Sequence, residues 1–485
     1  FGSSHIVQSH LGKAAWLQSI GACSSCKRRP APPLRRAMPP KAKAQGKVAK
    51  AAAAAPQKRQ RSTAGAEEAK AAARMTSEEW KQHQIGQAEK WPAPAYMNQP
   101  NPKGASHNSY RDETYEIITR WRADTKISYR PHAKAPGSKS HVRYEEYSRA
   151  KTVSQALELG SWPADWCWDY ERGFIRVMGP VRDEPLDPSK VGETDGLSDV
   201  DKVICRWYLK ELAKKFGMTV EELKDGKCGG ESLIMRAHRL VAQRDARRAL
   251  EAARRSGRKV SEAEVLASLR NWAFAKNASR QNVLPEGKEW VWSDNMGLTR
   301  DRTGDIHVTA SSHTYPEVVQ LLNQYLIDRL PPDARSFKWT SLNVNCNYAA
   351  KLHRDAQNFG PSFIKAFGDF KGGELNYWPE DDRTVDKLEN FRKEDKISLD
   401  LKNGLALFNG NSGHSVEPFE GERFSVVYFT AGCYDKATAA AKDGCRALGF
   451  QYPAPDADPR ALLRAPKSYS GRAGRAAPTP DRRAA

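Results

Sequence analysis

Between residues 339 and 430 the chain runs in short segments of period-two alternation, each closed by Gly, Asn or Pro. Alternation at that period puts successive side chains on opposite faces, so each segment suits a strand and not a helix. Trp339 to Tyr348 places Asn343, Asn345 and Asn347 on one face and Leu342, Val344 and Cys346 on the other. Three amides on one face fit a polar cavity or an edge strand facing water, and both readings stand. Ser362 to Phe370 reads as a strand, and Gly372-Gly373 as a tight turn into Glu374 to Trp378, so a hairpin is expected. Beyond a charged loop (379–396) come Ile397 to Leu401 and Gly404 to Phe408, divided by Lys402-Asn403. Arg423 to Thr430 closes the series, with Arg423, Ser425 and Val427 on one face and Phe424, Val426 and Tyr428 on the other. Many short strands with such turns imply a double-sheet jelly roll, whose mouth suits a metal and a small acid.

Within this stretch one constellation specifies chemistry. His353-Arg354-Asp355 is followed by His414, then by Arg423 and Ser425. Two histidines and one carboxylate can occupy one face of an iron(II) ion and leave three positions for a co-substrate and O2. An arginine just beyond the second histidine can hold a dicarboxylate through two parallel hydrogen bonds. His-Arg-Asp is also the tripeptide of kinase catalytic loops. That reading needs an asparagine at position 360, where Gly stands, and Asp-Phe-Gly where 368 to 370 reads Gly-Asp-Phe.

The runs NCNYAAKLHRDAQNFGPSFIKAFGDFKGGELNYW and KNGLALFNGNSGHSVEPFEGERFSVVYF resemble the double-stranded β-helix of the 2-oxoglutarate/Fe(II) dioxygenases. HRDAQN, the Gly-Gly-Glu-Leu turn and the ending His414 to Arg423-x-Ser425 are similar to the TET/JBP-like branch, which oxidises the methyl group of pyrimidine bases, and to its algal and protist members above all. The resemblance spans residues 335–435. It implies His353, Asp355 and His414 as iron ligands, Arg423 as partner of the distal carboxylate of 2-oxoglutarate, and Ser425 as its helper. It also implies Asn345, Asn347 and Tyr348 as co-substrate contacts. Departures are the missing Cys-rich zinc-binding segment and the missing long insert of the vertebrate members.

Elsewhere the chain is bounded more loosely. Its 485 residues suffice for two or three domains, and its net charge of +20 invites a nucleic-acid partner. Most of that charge is terminal: residues 1–74 carry +13, residues 454–485 carry +4 and residues 75–453 only +3. Both ends are repetitive and rich in Ala, Arg and Pro, and are expected to be disordered basic tails. Lys58-Arg59 and Arg61 suit a nuclear-targeting or phosphate-binding tract; the same segment, acid-free until Glu67, also suits an organellar transit peptide. Met38 opens Met-Pro-Pro-Lys, so translation is expected to start there, with residues 1–37 upstream of the protein proper. Cys23 and Cys26 then drop out, and the six other cysteines lack metal-ligand spacing and read as reduced thiols. No apolar run is long enough to span a membrane.

Residues 105–330 belong to no evident family and read as a supporting or nucleic-acid-binding region. Trp162, Trp166 and Trp168, near interleaved Arg and Lys, suit base stacking or ordinary core packing. Residues 198–279 read helical, with capping boxes at Thr219 to Glu222 and Ser261 to Glu264. Residues 233–255 carry a basic face that suits a phosphate backbone or a solvated surface: Arg236, Arg239, Arg244, Arg247, Arg248, Arg254 and Arg255.

The expectation is therefore an α+β chain with a double-stranded β-helix (jelly-roll) core, supporting helices and basic tails. Its cofactor is Fe(II), its co-substrates are 2-oxoglutarate and O2, and ascorbate serves as reductant. Its expected activity is hydroxylation of the methyl group of 5-methylcytosine or thymine in nucleic acid, DNA before RNA, in the nucleus. A prolyl-type protein hydroxylase and a non-catalytic nucleic-acid-binding protein are the alternatives.

Overall fold

The computed structural model describes residues 75–100, 109–188, 196–226, 228–355, 358–381, 383, 385–458 and 461–463. The tail of residues 1–74, with Cys23, Cys26, Met38, Lys58, Arg59 and Arg61, lies outside the described residues, as does most of 454–485.

An antiparallel pair, β1 (Trp121–Tyr129) and β2 (Ile175–Val181), carries the first core. Helices α1 (Lys139–Tyr147) and α2 (Pro163–Glu171) pack into it, and Trp121, Tyr144, Tyr147 and Trp166 are fully buried there. The tryptophan cluster divides: Trp166 is core, whereas Trp162 and Trp168 are 54% and 45% exposed.

Helices α3 (Asp199–Phe216), α4 (Val220–Lys224), α5 (Leu233–Ser256) and α6 (Glu262–Asn271) follow. The expected capping boxes are present at Thr219/Glu222 and Ser261/Glu264, each satisfying two otherwise unpaired N–H groups. In α5, Ala242, Ala246, Ala249 and Ala253 are buried. These small side chains admit α6 and α7 (Pro316–Ile327) close to the helix. The basic face of α5 is largely consumed within the molecule. Arg236 and Arg239 are buried; Arg236 donates to the carbonyls of Glu222 and Leu223, and Arg239 pairs with Glu231 and Asp294. Arg244, Arg247 and Arg248 pair with Glu222, Glu317 and Asp245.

The remaining strands are β3 (Lys276–Asn277), β4 (Val291–Arg300), β5 (Ile306–Val308), β6 (Ser341–Cys346), β7 (Ser362–Phe367), β8 (Phe370–Gly372) and β9 (Leu375–Tyr377). They continue with β10 (Ile397–Leu399), β11 (Ala406–Phe408), β12 (His414–Val416), β13 (Phe419–Gly421) and β14 (Phe424–Phe429). A seven-stranded antiparallel sheet runs in the order β11-β7-β14-β6-β4-β3, with β5 on β4. A three-stranded sheet runs β10-β9-β12, and β8 pairs with β13. The large sheet thus draws on residues well before 335.

Alternation decides what each face of the large sheet meets. Leu342, Val344, Val426 and Tyr428 join a core with Leu321, Leu322 and Tyr325 of α7. The opposite face contributes Ile364, Ala366, Ala406 and Phe408 to a second core, shared with Leu375 and Tyr377 of the small sheet. In register, Ser425 lies opposite Asn345 and Val427 opposite Asn343. A one-residue slip would bury the amides against α7, so the pairing is strongly specified.

Two expectations need correction. Gly372-Gly373 does not close a hairpin: β8 pairs with β13 and β9 with β10 and β12, so the chain passes from one sheet to another there. A Cβ on Gly373 would sit 2.8 Å from Arg423 Nε, which makes the glycine a site of close approach. Asn347 does not continue the amide face either; β6 ends at Cys346 and Asn347 turns to a φ of +50°.

Candidate metal centre

His353 and His414 are brought together by the backbone before their rings meet. His353 N–H donates to His414 O at 3.0 Å, and His414 N–H returns a bond to His353 O at 2.9 Å. The rings then lie with centroids 4.1 Å apart. Asp355 N–H donates to Gly410 O at 2.8 Å, tying the carboxylate to the same pair of segments. His353 Nδ1 lies 2.7 Å from Lys351 O, and His414 Nδ1 lies 2.9 Å from Ser412 O. A carbonyl only accepts, so both Nδ1 atoms carry the proton and both Nε2 atoms keep a free lone pair. One ligand atom from each of His353, Asp355 and His414 can be chosen so that all lie within 4.8 Å of one another.

Electrostatics favour the metal-binding protonation state. Burial pushes the His353 pKa down to about 3, and the neighbouring His414 pushes the same way against the pull of Asp355. Burial lowers His414 as well. Both imidazoles are therefore neutral near pH 7, as ligation requires. Asp355 is oriented by Asn358, whose Nδ2 donates to Oδ2 at 3.0 Å, while Arg280 stands 3.7 Å from Oδ1.

Arg423 lines the same pocket, of about 280 Å³, as His353, Asp355 and His414. Its side chain is buried between Phe370 and Phe419, with the guanidinium carbon 5.5 and 5.3 Å from the ring centres. Nη2 donates to Gly373 O at 3.1 Å, whereas Nε is buried with no hydrogen-bond partner among the described residues. Burial pulls the pKa of this guanidinium down to about 10, which still leaves it charged at neutral pH. A buried cation that lines a cavity, with an N–H unmatched among the described residues, is fitted to an anion from outside the chain.

Asn345, Tyr348 and Ser425 form a hydrogen-bonded run in the same pocket. Tyr348 OH donates to Asn345 Oδ1 at 2.8 Å, and Asn345 Nδ2 reaches Ser425 Oγ at 3.3 Å. All three line the pocket. Asn347 serves elsewhere: its Oδ1 accepts from Arg423 N–H and its own N–H donates to Arg423 O, both at 2.8 Å. It pins the backbone of Arg423 and is not among the pocket-lining residues.

Three polar lining residues escaped the sequence reading. Asn358 was within the quoted HRDAQN run, three positions after Asp355, so its spacing was an available signal. Arg280 and Asn295 come from the β3–β4 region; Arg280 Nη1 donates to Asn343 Oδ1 at 2.9 Å, and Asn343 Nδ2 to Asn295 Oδ1 at 2.7 Å. Nothing local to either residue announced it.

No family model matches the chain, and no curated protein matches it in sequence. Among solved structures, the chain is similar to NgTET1 in complex with 5mC DNA, at 19% identity and TM-score 0.20, over 29% of this chain and 60% of that one. It is similar to a 2OG-Fe(II) oxygenase family oxidoreductase from Burkholderia pseudomallei, at 13% identity and TM-score 0.20, over 32% of this chain and 74% of that one. It is also similar to a prolyl hydroxylase from Trichoplax adhaerens in complex with a hypoxia inducible factor oxygen degradation domain peptide, at 13% identity and TM-score 0.20, over 46% and 93%. The chain thus spans about 60% of the length of the NgTET1 chain.

Proposed function

We propose that this chain is an Fe(II)- and 2-oxoglutarate-dependent oxygenase built on a double-stranded β-helix, the large and small sheets forming its two walls. The observation that carries the reading is one pocket lined by His353, Asp355 and His414 together with the buried cation Arg423. A donor set of two imidazoles and one carboxylate fits iron(II) and leaves room for an oxo acid and O2. When bound, that group supplies a one-oxygen oxidant for a substrate C–H bond, with succinate and CO2 as co-products.

The chain's own part is positional. His353 and His414 offer lone pairs with their other nitrogens fixed, and Asp355 offers the charge. Arg423 holds the distal carboxylate of 2-oxoglutarate, with Ser425, Asn345 and Tyr348 along the co-substrate's length. Ile364, Leu375, Phe408 and Val427 keep that length dry.

For the substrate we propose the methyl group of 5-methylcytosine or thymine in nucleic acid, DNA before RNA. The TET/JBP-like run around HRDAQN and the basic tails, +13 and +4, support it, as they support a nuclear location. A methyl group inside a duplex is out of reach of the iron, so the base must leave the stack. A prolyl-type protein hydroxylase is the second reading; the charge of only +3 over residues 75–453 favours it.

The test is nucleoside mass spectrometry on methylated and unmethylated DNA treated with enzyme, iron(II), ascorbate and 2-oxoglutarate, beside His353→Ala. An oxidised pyrimidine absent from the variant is expected. Triad-dependent succinate with unaltered DNA nucleosides would move the substrate to RNA or protein.

A further inference from the structure

Resting on that metal-centre reading, we infer that Arg354 and Asp381 form a latch that sets the distance between the two ligand-bearing segments, and so act as positioning residues for the metal. Arg354 stands between His353 and Asp355, yet its side chain leaves the pocket. Its Nε and Nη2 donate to the two carboxylate oxygens of Asp381, at 2.7 and 2.6 Å, in a two-pronged pair. Asp381 then reaches the other segment: its Oδ2 accepts from the N–H of Gly413, the residue before His414, at 2.6 Å. Its Oδ1 also accepts Arg383 N–H at 2.9 Å. Four donors saturate one carboxylate whose side chain is 2% exposed, which leaves it a single geometry.

Neighbouring contacts hold the latch closed. Gly413 O accepts Trp378 N–H at 2.9 Å, so that peptide is gripped from both sides. Phe391 lies on Gly413 so closely that a Cβ there would run into the ring. The Arg354 guanidinium sits 5.2 Å from the centre of the same ring, and the Trp378 ring packs on it as well, at 5.4 Å. Arg354 Nη2 also donates to Val385 O at 2.8 Å. The charged loop after β9, which the sequence showed only as polar, thereby joins residue 354 to residue 413 and keeps His353, Asp355 and His414 at ligating distance.

Groups that orient metal ligands typically change metal affinity by about 10- to 100-fold when removed. The test titrates Mn(II) and, separately, Co(II) into apo full-length protein by calorimetry, with no co-substrate. Asp381→Asn and Arg354→Met are each expected to weaken binding about ten-fold or more, and the double variant is expected to be no worse than the poorer single, because the two act as one unit. Arg354→Lys, which keeps the cation and loses the two-pronged contact, is expected to bind more weakly than wild type and better than Arg354→Met. Breaking the exposed Arg392–Asp395 pair of the same loop by Asp395→Asn should leave the titration unchanged. Folding is followed in parallel by thermal unfolding of the apo proteins. A merely structural pair would shift the melting temperature and leave metal affinity within about two-fold of wild type, which overturns the latch. Asp355→Ala separates the two readings: if wild type and Asp355→Ala bind metal alike, it is the metal centre itself that fails.

Discussion

Arg423 is a buried cation with one N–H left over, and that leftover defines what the pocket asks for. Replacing it with lysine keeps a charge but removes the planar fork, so 2-oxoglutarate binding to the Mn(II) form should weaken about ten-fold or more, roughly 1.4 kcal/mol, with metal affinity unchanged. Gly373→Ala should copy that effect, because the new Cβ would press on Arg423 Nε and a φ of +76° resists any side chain. Titrating 2-oxoglutarate into each variant checks both; an unaltered co-substrate affinity in Gly373→Ala would remove the close approach from the account. The two histidines give a prediction in pH. From the ordinary value of 6.5 down to about 3 the unfolded chain holds a proton on His353 that the folded chain does not. The stability of the apo protein is then fully present above about pH 6.5 and falls as pH drops toward 3. Metal binding near pH 7 should release almost no protons from the histidines, measurable by calorimetry in buffers of different ionisation enthalpy. Release approaching one proton would mean that a ligand histidine is charged in the apo state. Sequence reading reached Arg423 and Ser425 because period-two alternation is local. It missed Arg280, whose place against Asp355 depends on how β4 pairs with β6.

At the scale of elements, α5 shows where a pattern read along the chain fails. Its arginines recur at helical spacing and look like one basic face, but their partners come from α4, from β4 and from the start of α7. Spacing reveals which residues share a face and not what that face meets. Arg236→Ala should destabilise the protein by about 2–4 kcal/mol, since it strips the donors from Leu223 O and Tyr315 Oη, both buried. Arg248→Ala, whose side chain is mostly exposed, should cost under about 0.5 kcal/mol. Urea unfolding of the two variants measures the contrast. The Gly372-Gly373 misreading has the same origin: two glycines do signal a turn, but whether the flanking strands pair with each other depends on the rest of the sheet. The capping boxes, by contrast, were legible because each closes its hydrogen bonds within four residues.

Over the whole molecule, charge and chemistry are separated along the chain. The pocket lies within residues 280–429, while the net charge of +20 resides mainly in residues 1–74 and 454–485. The paired arginines of α5 sharpen that division, because cations already matched by Glu and Asp release few counterions from a nucleic acid. If DNA is the polymer bound, the salt dependence of binding must then come from the tails. Each phosphate neutralised adds about 0.9 to the slope of log affinity against log salt. Removing residues 1–74, with their net +13, should therefore flatten that slope by several units and weaken binding to duplex DNA at low salt. The removal should leave metal binding and triad-dependent succinate formation intact, since His353, Asp355, His414 and Arg423 all lie beyond residue 350. Fluorescence anisotropy across a salt series reads the slope. A slope unchanged by the truncation would place the nucleic-acid anchor beyond residue 74, in the +4 tail of residues 454–485 or in residues 75–453, where the exposed Trp162 and Trp168 would be the first side chains to replace.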